Sequence, residues 1–312
     1  MNYRILGKTG LEVSPICIGA WQLAGPLAFD SKPDGHPDPG KKNVLRLIAK
    51  LGDRGVNFID TAEQYGNGES ERRVGEAIKR KRNKWIISTK FGYRVGPDGG
   101  REDDSGPATI MPSLEGSLKR LQTDHIDIYL YHCAPKDEDL DVSREILEKA
   151  KKAGKIYCYG VSTANFDLIQ ALYAHNMLDV LQYPTSLLDP RPDIYAFISE
   201  HNIGTQVRGV MAQGRLSGKY FHHTPTWRSD DNRSNRNIDY QRYAIFENAL
   251  PEGMTMAQAA IRWILDKPAH HTICMGANNL ADYEVAINAA QMPPLSEETN
   301  LKLAECVSAL TH

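Results

Sequence analysis

A single (β/α)8 barrel of the TIM type is the fold this sequence predicts. Eight short apolar runs recur along the 312 residues with helical patterns between them and no break in composition. Long irregular segments follow three of these runs, so they gather on one face of such a barrel. An open doubly wound sheet would want a Gly-x-Gly-x-x-Gly turn after an early strand, and the sequence has none.

Taken in order, Tyr3–Val13 alternates around Gly7-Lys8-Thr9-Gly10 and predicts a hairpin. The predicted strands are Ile16–Ala20, Val56–Asp60, Trp85–Thr89, Ile126–Tyr131, Ile156–Val161, Val180–Gln182, Gly204–Arg208 and His271–Met275. Apolar residues at helical spacing predict helices at Lys41–Arg54, Glu69–Lys81, Pro107–Leu121, Ser143–Ala153, Phe166–His175, Arg191–Glu200 and Thr255–Leu265. Ala24–Gly40, Tyr93–Gly106 and Tyr220–Tyr240 read as long loops, the last carrying Arg228, Arg233 and Arg236. Loops of this length inside a compact domain are usually functional or disordered.

Composition narrows the function classes. A hydrophobic fraction of 41% suits a globular chain with a large core, and a formal net charge of -2 argues against a nucleic-acid partner. The N-terminus lacks an apolar signal core and no segment reaches membrane-spanning length, so a cytoplasmic protein is expected. The five cysteines, Cys17, Cys133, Cys158, Cys274 and Cys306, are scattered and predict reduced thiols. Cys133 reads as a small residue lining the site rather than a reactive thiol. The pairs His222-His223 and His270-His271 lack metal-like partners and read as surface or loop residues.

The chemistry concentrates where predicted strands end. Asp60 closes one strand and Tyr65 follows in the loop; Lys90 ends the next, and His132 ends the one after that. Each residue alone suits a structural role: a capping Asp, a packed Tyr, a solvated Lys, a satisfied His. Asp, Tyr, Lys and His at three successive strand ends form a much rarer arrangement.

In these residues the chain resembles the aldo-keto reductase superfamily, and Glu71-Arg-Arg-Val-Gly75 fits that family's first signature. The resemblance runs from the N-terminal hairpin to about Ala290 and implies a barrel whose bottom the hairpin closes. It implies a catalytic set of Asp60, Tyr65, Lys90 and His132 that interconverts a carbonyl and an alcohol. A phenol is a reluctant proton donor near neutral pH, and a buried ammonium beside it stabilises phenolate. Lys90 takes that role, Asp60 keeps Lys90 charged, and His132 orients the substrate oxygen.

Those residues hold no hydride source, so a nicotinamide is implied. Gly160-Val161-Ser162 is similar to the family's Gly-Val-Ser-Asn, with Thr163 at the Asn position and Asn165 two residues on. Ser162, Asn165 and Gln182 are therefore the expected carboxamide contacts. Arg208 stands where the family stacks an aromatic residue on the nicotinamide, with a substrate anion as its other possible contact. Gln213, Leu216, Ser217 and Lys219 would run beside the pyrophosphate. Gly276, Asn278 and Asp282 would meet the adenosine end near a helix start that can receive phosphate. The family implies NADP(H), while Asp282 leaves NAD(H) in contention.

The substrate is unnamed by the sequence beyond a small-molecule carbonyl or alcohol, and the oligomeric state is open. Trp21, Tyr93, Tyr131 and Trp227 are candidate pocket walls. A rival reading is a cofactor-binding auxiliary or regulatory subunit of a larger complex, since such relatives can retain the catalytic set.

Overall fold

The computed structural model of the chain describes residues 1–311. Its strands are β1 Ile16–Gly19, β2 Phe58–Asp60, β3 Ile86–Phe91, β4 Ile126–Tyr131, β5 Ile156–Ser162, β6 Val180–Pro184, β7 Gly204–Arg208 and β8 Thr272–Met275. They form a closed barrel in sequence order, and every neighbouring pair, β8 with β1 included, is parallel. Closure removes the exposed edges that a parallel sheet would otherwise present.

The helices between them are α1 Lys41–Asp53, α2 Glu69–Ile78, α3 Pro107–Leu121, α4 Leu140–Lys152, α5 Phe166–Ala174, α6 Pro192–Glu200 and α7 Met256–Leu265. Two more, α8 Leu280–Gln291 and α9 Glu297–Thr311, follow β8. The ends differ from the sequence expectation where local chemistry decides them. Helix α4 starts three residues before the expected Ser143, with acidic Asp137–Asp139 forming a short lead-in turn. Thr255 lies outside α7 as its N-cap, in a reciprocal capping box with Gln258. Strand β3 runs on to Phe91, so Lys90 sits inside the strand rather than just past it.

The N-terminal hairpin, Arg4–Ile5 paired with Glu12–Val13, seals the bottom as expected. Leu6 and Val13 are fully buried in a cluster with Cys17, Phe58, Ile128, Leu130, Cys158 and Val180. Arg4 donates to the carbonyls of Leu265 and His270, clamping the hairpin to the end of α7. His270 and His271 overturn the sequence expectation of surface or loop residues, for both are buried. The Nδ1 of His270 faces the Ile264 carbonyl at 3.0 Å and its Nε2 faces the Tyr183 hydroxyl at 2.6 Å. His271 Nε2 accepts from the Gly7 amide at 3.2 Å, stapling the hairpin turn to the barrel. Gly7 is required there: its φ is +49°, and a Cβ would lie 2.4 Å from the Gly204 nitrogen.

The long segments are more ordered than the sequence reading made them. Ala28–Phe29 pairs with Lys32–Pro33 within the first, and Tyr93–Val95 pairs with Arg101–Asp103 within the second. The first segment touches both others: Asp30 N donates to Gly99 O at 3.2 Å, and Asn232 N donates to Gly35 O at 3.0 Å. Buried His36 and Asp231 lie 3.6 Å apart at the second of these junctions. Among the described residues no helix is long and apolar enough to cross a membrane.

Candidate active site

Strand register explains why the catalytic candidates meet. Parallel pairing puts Asp60 opposite Ser88 on β2 and β3, and residues two apart on a strand share a face. Ser88 and Lys90 therefore point into the barrel while Thr89 points outward. Thr89 hydroxyl donates to buried Glu71 on α2 at 2.6 Å, and Arg120 of α3 donates to the same carboxylate. The Glu71–Gly75 signature is thus a packing device. A Cβ on Gly75 would sit 2.4 Å from the Leu121 carbonyl oxygen, so only glycine lets α2 and α3 approach this closely.

Lys90 is fully buried, and its Nζ donates to Asp60 Oδ2 at 2.8 Å, to the Thr61 carbonyl at 2.8 Å and to Tyr65 Oη at 3.2 Å. Three acceptors satisfy the three N–H donors of an ammonium. Burial alone would pull Lys90 down, but Asp60 and then Tyr65 hold it above the usual lysine range. The Tyr65 phenol is displaced upward, chiefly by burial, with Lys90 pulling the other way and Asp60 adding to the rise. Lys90 thus favours the phenolate as expected, while burial and then Asp60 outweigh it.

His132 meets Tyr65 edge-on, with ring centroids 5.6 Å apart, and Tyr93 packs on its other side at 4.9 Å. Burial, then Lys90, Arg208 and Arg101, push the imidazole well below its ordinary pKa, so it is neutral. Trp21 stacks beside Tyr65 at 6.1 Å and donates its indole N–H to the Asp34 carbonyl. Trp21 and Tyr93 therefore wall the site. Tyr131 does not: it is buried in the core against Phe91. Trp227 lies under the Arg233 guanidinium, 3.9 Å from ring centroid to Cζ, and beside Tyr220. Cys133 is buried, donates to the Gly92 carbonyl, and has its thiol pushed up by burial, as suits a lining residue.

A polar layer lies beneath. Ser162 donates to Gln182 Oε1 at 2.9 Å, Gln182 Nε2 to Gln206 Oε1 at 2.8 Å, and Gln206 Nε2 to Ser88 Oγ at 3.1 Å. Gln206 is the site-supporting residue that the sequence reading missed, although its even spacing from Arg208 on β7 was available as a signal. Gln182 Nε2 also donates to Cys274 Sγ at 3.9 Å, so both of its N–H groups have partners, while Oε1 accepts from Ser162 and has a second lone pair. Gly160 makes this possible, because a Cβ there would lie 1.8 Å from the Val180 carbonyl oxygen.

The other expected cofactor residues divide. Asn165 Oδ1 caps α5 by accepting from Leu168 N. Leu216 is fully buried in the core, and its amide donates to the Met211 carbonyl. Gln213 stands at φ +61° and accepts the Tyr240 hydroxyl on its carbonyl. Ser217 bonds the Gly214 carbonyl and receives the Lys219 amide. Lys219 Nζ and Asp282 Oδ1 form an ion pair, and Asn279 caps α8 while donating to Asp282 Oδ2. Gly276 and Asn278 are exposed just before that helix. Arg228 and Arg233 are committed to Asp230 and Asp231, and Arg236 to Asn232. Among the described residues no group of His, Cys, Asp or Glu is placed to hold a metal ion.

A closed parallel barrel with an Asp-bound lysine beneath a tyrosine at the carboxyl ends of its strands defines a barrel-enzyme class of site. Residues 15–308 match the model of the Aldo/keto reductase family, and the chain belongs to that family. Aldo-keto reductase YhdN of Bacillus subtilis is 30% identical, with 91% of this chain and 87% of that protein covered. The holo form of aldo-keto reductase AKR11C1 from Bacillus halodurans superposes with a TM-score of 0.82 at 27% identity, covering 98% and 96% of the two chains. Glycerol dehydrogenase AKR11B4 from Gluconobacter oxydans gives 0.83 at 27% identity, covering 99% and 95%. Family membership carries NAD(P)H-dependent oxidoreduction between carbonyl and alcohol.

Proposed function

We propose that the protein is an NADP(H)-dependent reductase of small carbonyl compounds in which Tyr65 is the general acid, and the base in the reverse direction. The carrying observation is the single buried ammonium shared by Asp60 and Tyr65. A phenol whose pKa burial raises is fully protonated at neutral pH and ready to donate. The adjacent Lys90 charge stabilises the phenolate that donation leaves behind, and Asp60 keeps that charge in place. Neutral His132 is suited to hydrogen-bond the carbonyl oxygen without competing as an acid. Trp21 and Tyr93 limit water at the reacting end.

Bound nicotinamide would supply the hydride. Ser162, Gln182 and Asn165 are assigned to its carboxamide, and Arg208 to its ring face. Gln213, Leu216, Ser217 and Lys219 form the pyrophosphate stretch, and Gly276, Asn278 and Asp282 the adenosine end. The Lys219–Asp282 pair supports NADP(H), because the lysine offsets the carboxylate that would repel a 2′-phosphate. Oxidation of NADPH with a panel of aldehydes tests the assignment. Rapid turnover is expected, whereas tight cofactor binding without turnover would favour the auxiliary-subunit reading.

A further inference from the structure

Resting on the carbonyl-reductase reading, we propose that the substrate carries an anionic group, a carboxylate or a phosphate, remote from its carbonyl, and that Arg101 selects it. Arg101 is carried into the site by the Tyr93–Val95/Arg101–Asp103 hairpin, where it pairs with Val95. Its guanidinium lies 4.5 Å from the centroid of the Tyr93 ring, and that ring packs 4.9 Å from His132. One aromatic ring thus separates a guanidinium from the residue assigned to the carbonyl oxygen. Stacking on the ring fixes the plane of the guanidinium and leaves its edge N–H groups available to an oxyanion.

The site's positive charge is not balanced from within. Lys90 is matched by Asp60, but Arg208 makes no hydrogen bond or ion pair with its side chain among the described residues. Arg208 follows Gln206 by two positions on β7, so it shares the barrel-facing side and stands at the mouth. Among the described residues Arg101 has an ion pair only with Asp103, at 3.3 Å, and both side chains are about half exposed, 47% and 55%. A pair so placed is weak and easily exchanged for a bound anion. Three acids near the site are already engaged, and Asp98, Glu102 and Asp103 of the hairpin itself are exposed to solvent. Asp34 accepts from Gln64, Asp104 from Thr109 and Arg94, and Glu63 from Gly92 and Ser113. The combined field of Lys90, Arg208 and Arg101 at His132, which helps keep that imidazole neutral, has the sign an anionic substrate needs.

The test compares kcat/KM for two matched pairs, succinic semialdehyde against butanal and glyceraldehyde 3-phosphate against glyceraldehyde. At least one anionic member should be preferred by about tenfold or more, mainly through KM, and the preference should shrink as salt rises. Whichever pair shows it identifies the anion as carboxylate or phosphate. Arg101→Gln should bring that ratio down by about tenfold, with Arg101→Lys intermediate. Turnover of the neutral aldehydes with no preference in either pair overturns this proposal alone. So does a ratio that Arg101→Gln leaves unmoved. Failure to reduce any of the four overturns the carbonyl-reductase reading, and this inference with it.

Discussion

Lys90 Nζ lies 3.2 Å from the phenolic oxygen of Tyr65, inside hydrogen-bond reach and with no solvent exposure of the lysine. The contact ties one proton to one charge. Replacing Tyr65 by Phe deletes the proton donor and little else, so cofactor affinity should hold while carbonyl reduction falls by about 10²–10⁴-fold. A change in turnover below about threefold in single-turnover measurements would separate Tyr65 from the chemistry.

Removing the charge should act through pH. Lys90→Met leaves a buried phenol beside an uncompensated Asp60 carboxylate, which moves the Tyr65 pKa further up. Alcohol oxidation needs phenolate, so the rising limb of its pH profile should shift to higher pH in this variant. An unchanged profile would break the proposed coupling.

Gly160→Ala tests the geometry under the cofactor site. The added Cβ would meet the Val180 carbonyl at 1.8 Å, where β5 pairs with β6 and Ser162 stands opposite Gln182. The strands must separate, which should cost about 1–3 kcal/mol or more and misalign the two carboxamide candidates. Thermal unfolding and NADPH titration should both show the loss. A variant with native stability and affinity would mean that β5 can shift without disturbing the site.

Acid stability follows from the buried histidines. His270 is pushed down to about 3, and His36 and His271 to about 4, in each case chiefly by burial. Above the ordinary pKa of about 6.5 these groups are neutral in both folded and unfolded chains, so they impose no penalty. As pH falls below that value the unfolded chain takes up protons first. Each group then removes up to about 1.4 kcal/mol of stability per pH unit, until its folded pKa is reached. The urea midpoint should drop measurably between pH 7 and pH 5, and a flat midpoint would contradict the buried neutral assignment.

The histidines also mark where sequence reading stops. The barrel and the strand ends were legible because period-two and helical patterns are local, and Asp60, Lys90 and His132 fall where those patterns end. His270-His271 looked like loop residues because their partners, Gly7 and Tyr183, are 264 and 87 positions away. Gln206 was missed for the same reason: its bond to Ser88 spans 118 positions. The pull of Lys90 on Tyr65 is visible in sequence as charge at a strand end, whereas the burial that outweighs it is not. Arg228, Arg233 and Arg236 each have a partner within four residues in their own loop.

Lys219, assigned to the pyrophosphate stretch, is paired with Asp282 of the proposed adenosine end, and the choice of dinucleotide turns on that pairing. With the pair intact the carboxylate is neutralised, and the first turn of α8 can accept a 2′-phosphate beside the lysine. The wild-type enzyme should therefore show the higher kcat/KM with NADPH. Lys219→Ala would leave Asp282 uncompensated next to a phosphate dianion, lowering the NADPH-to-NADH ratio by about tenfold. Asp282→Asn should move the ratio the other way, since it removes the repulsion and frees Lys219. Side-by-side kinetics on the three proteins decides the matter. A higher kcat/KM for NADH in the wild type would make Asp282 a ribose acceptor and overturn the NADP(H) assignment.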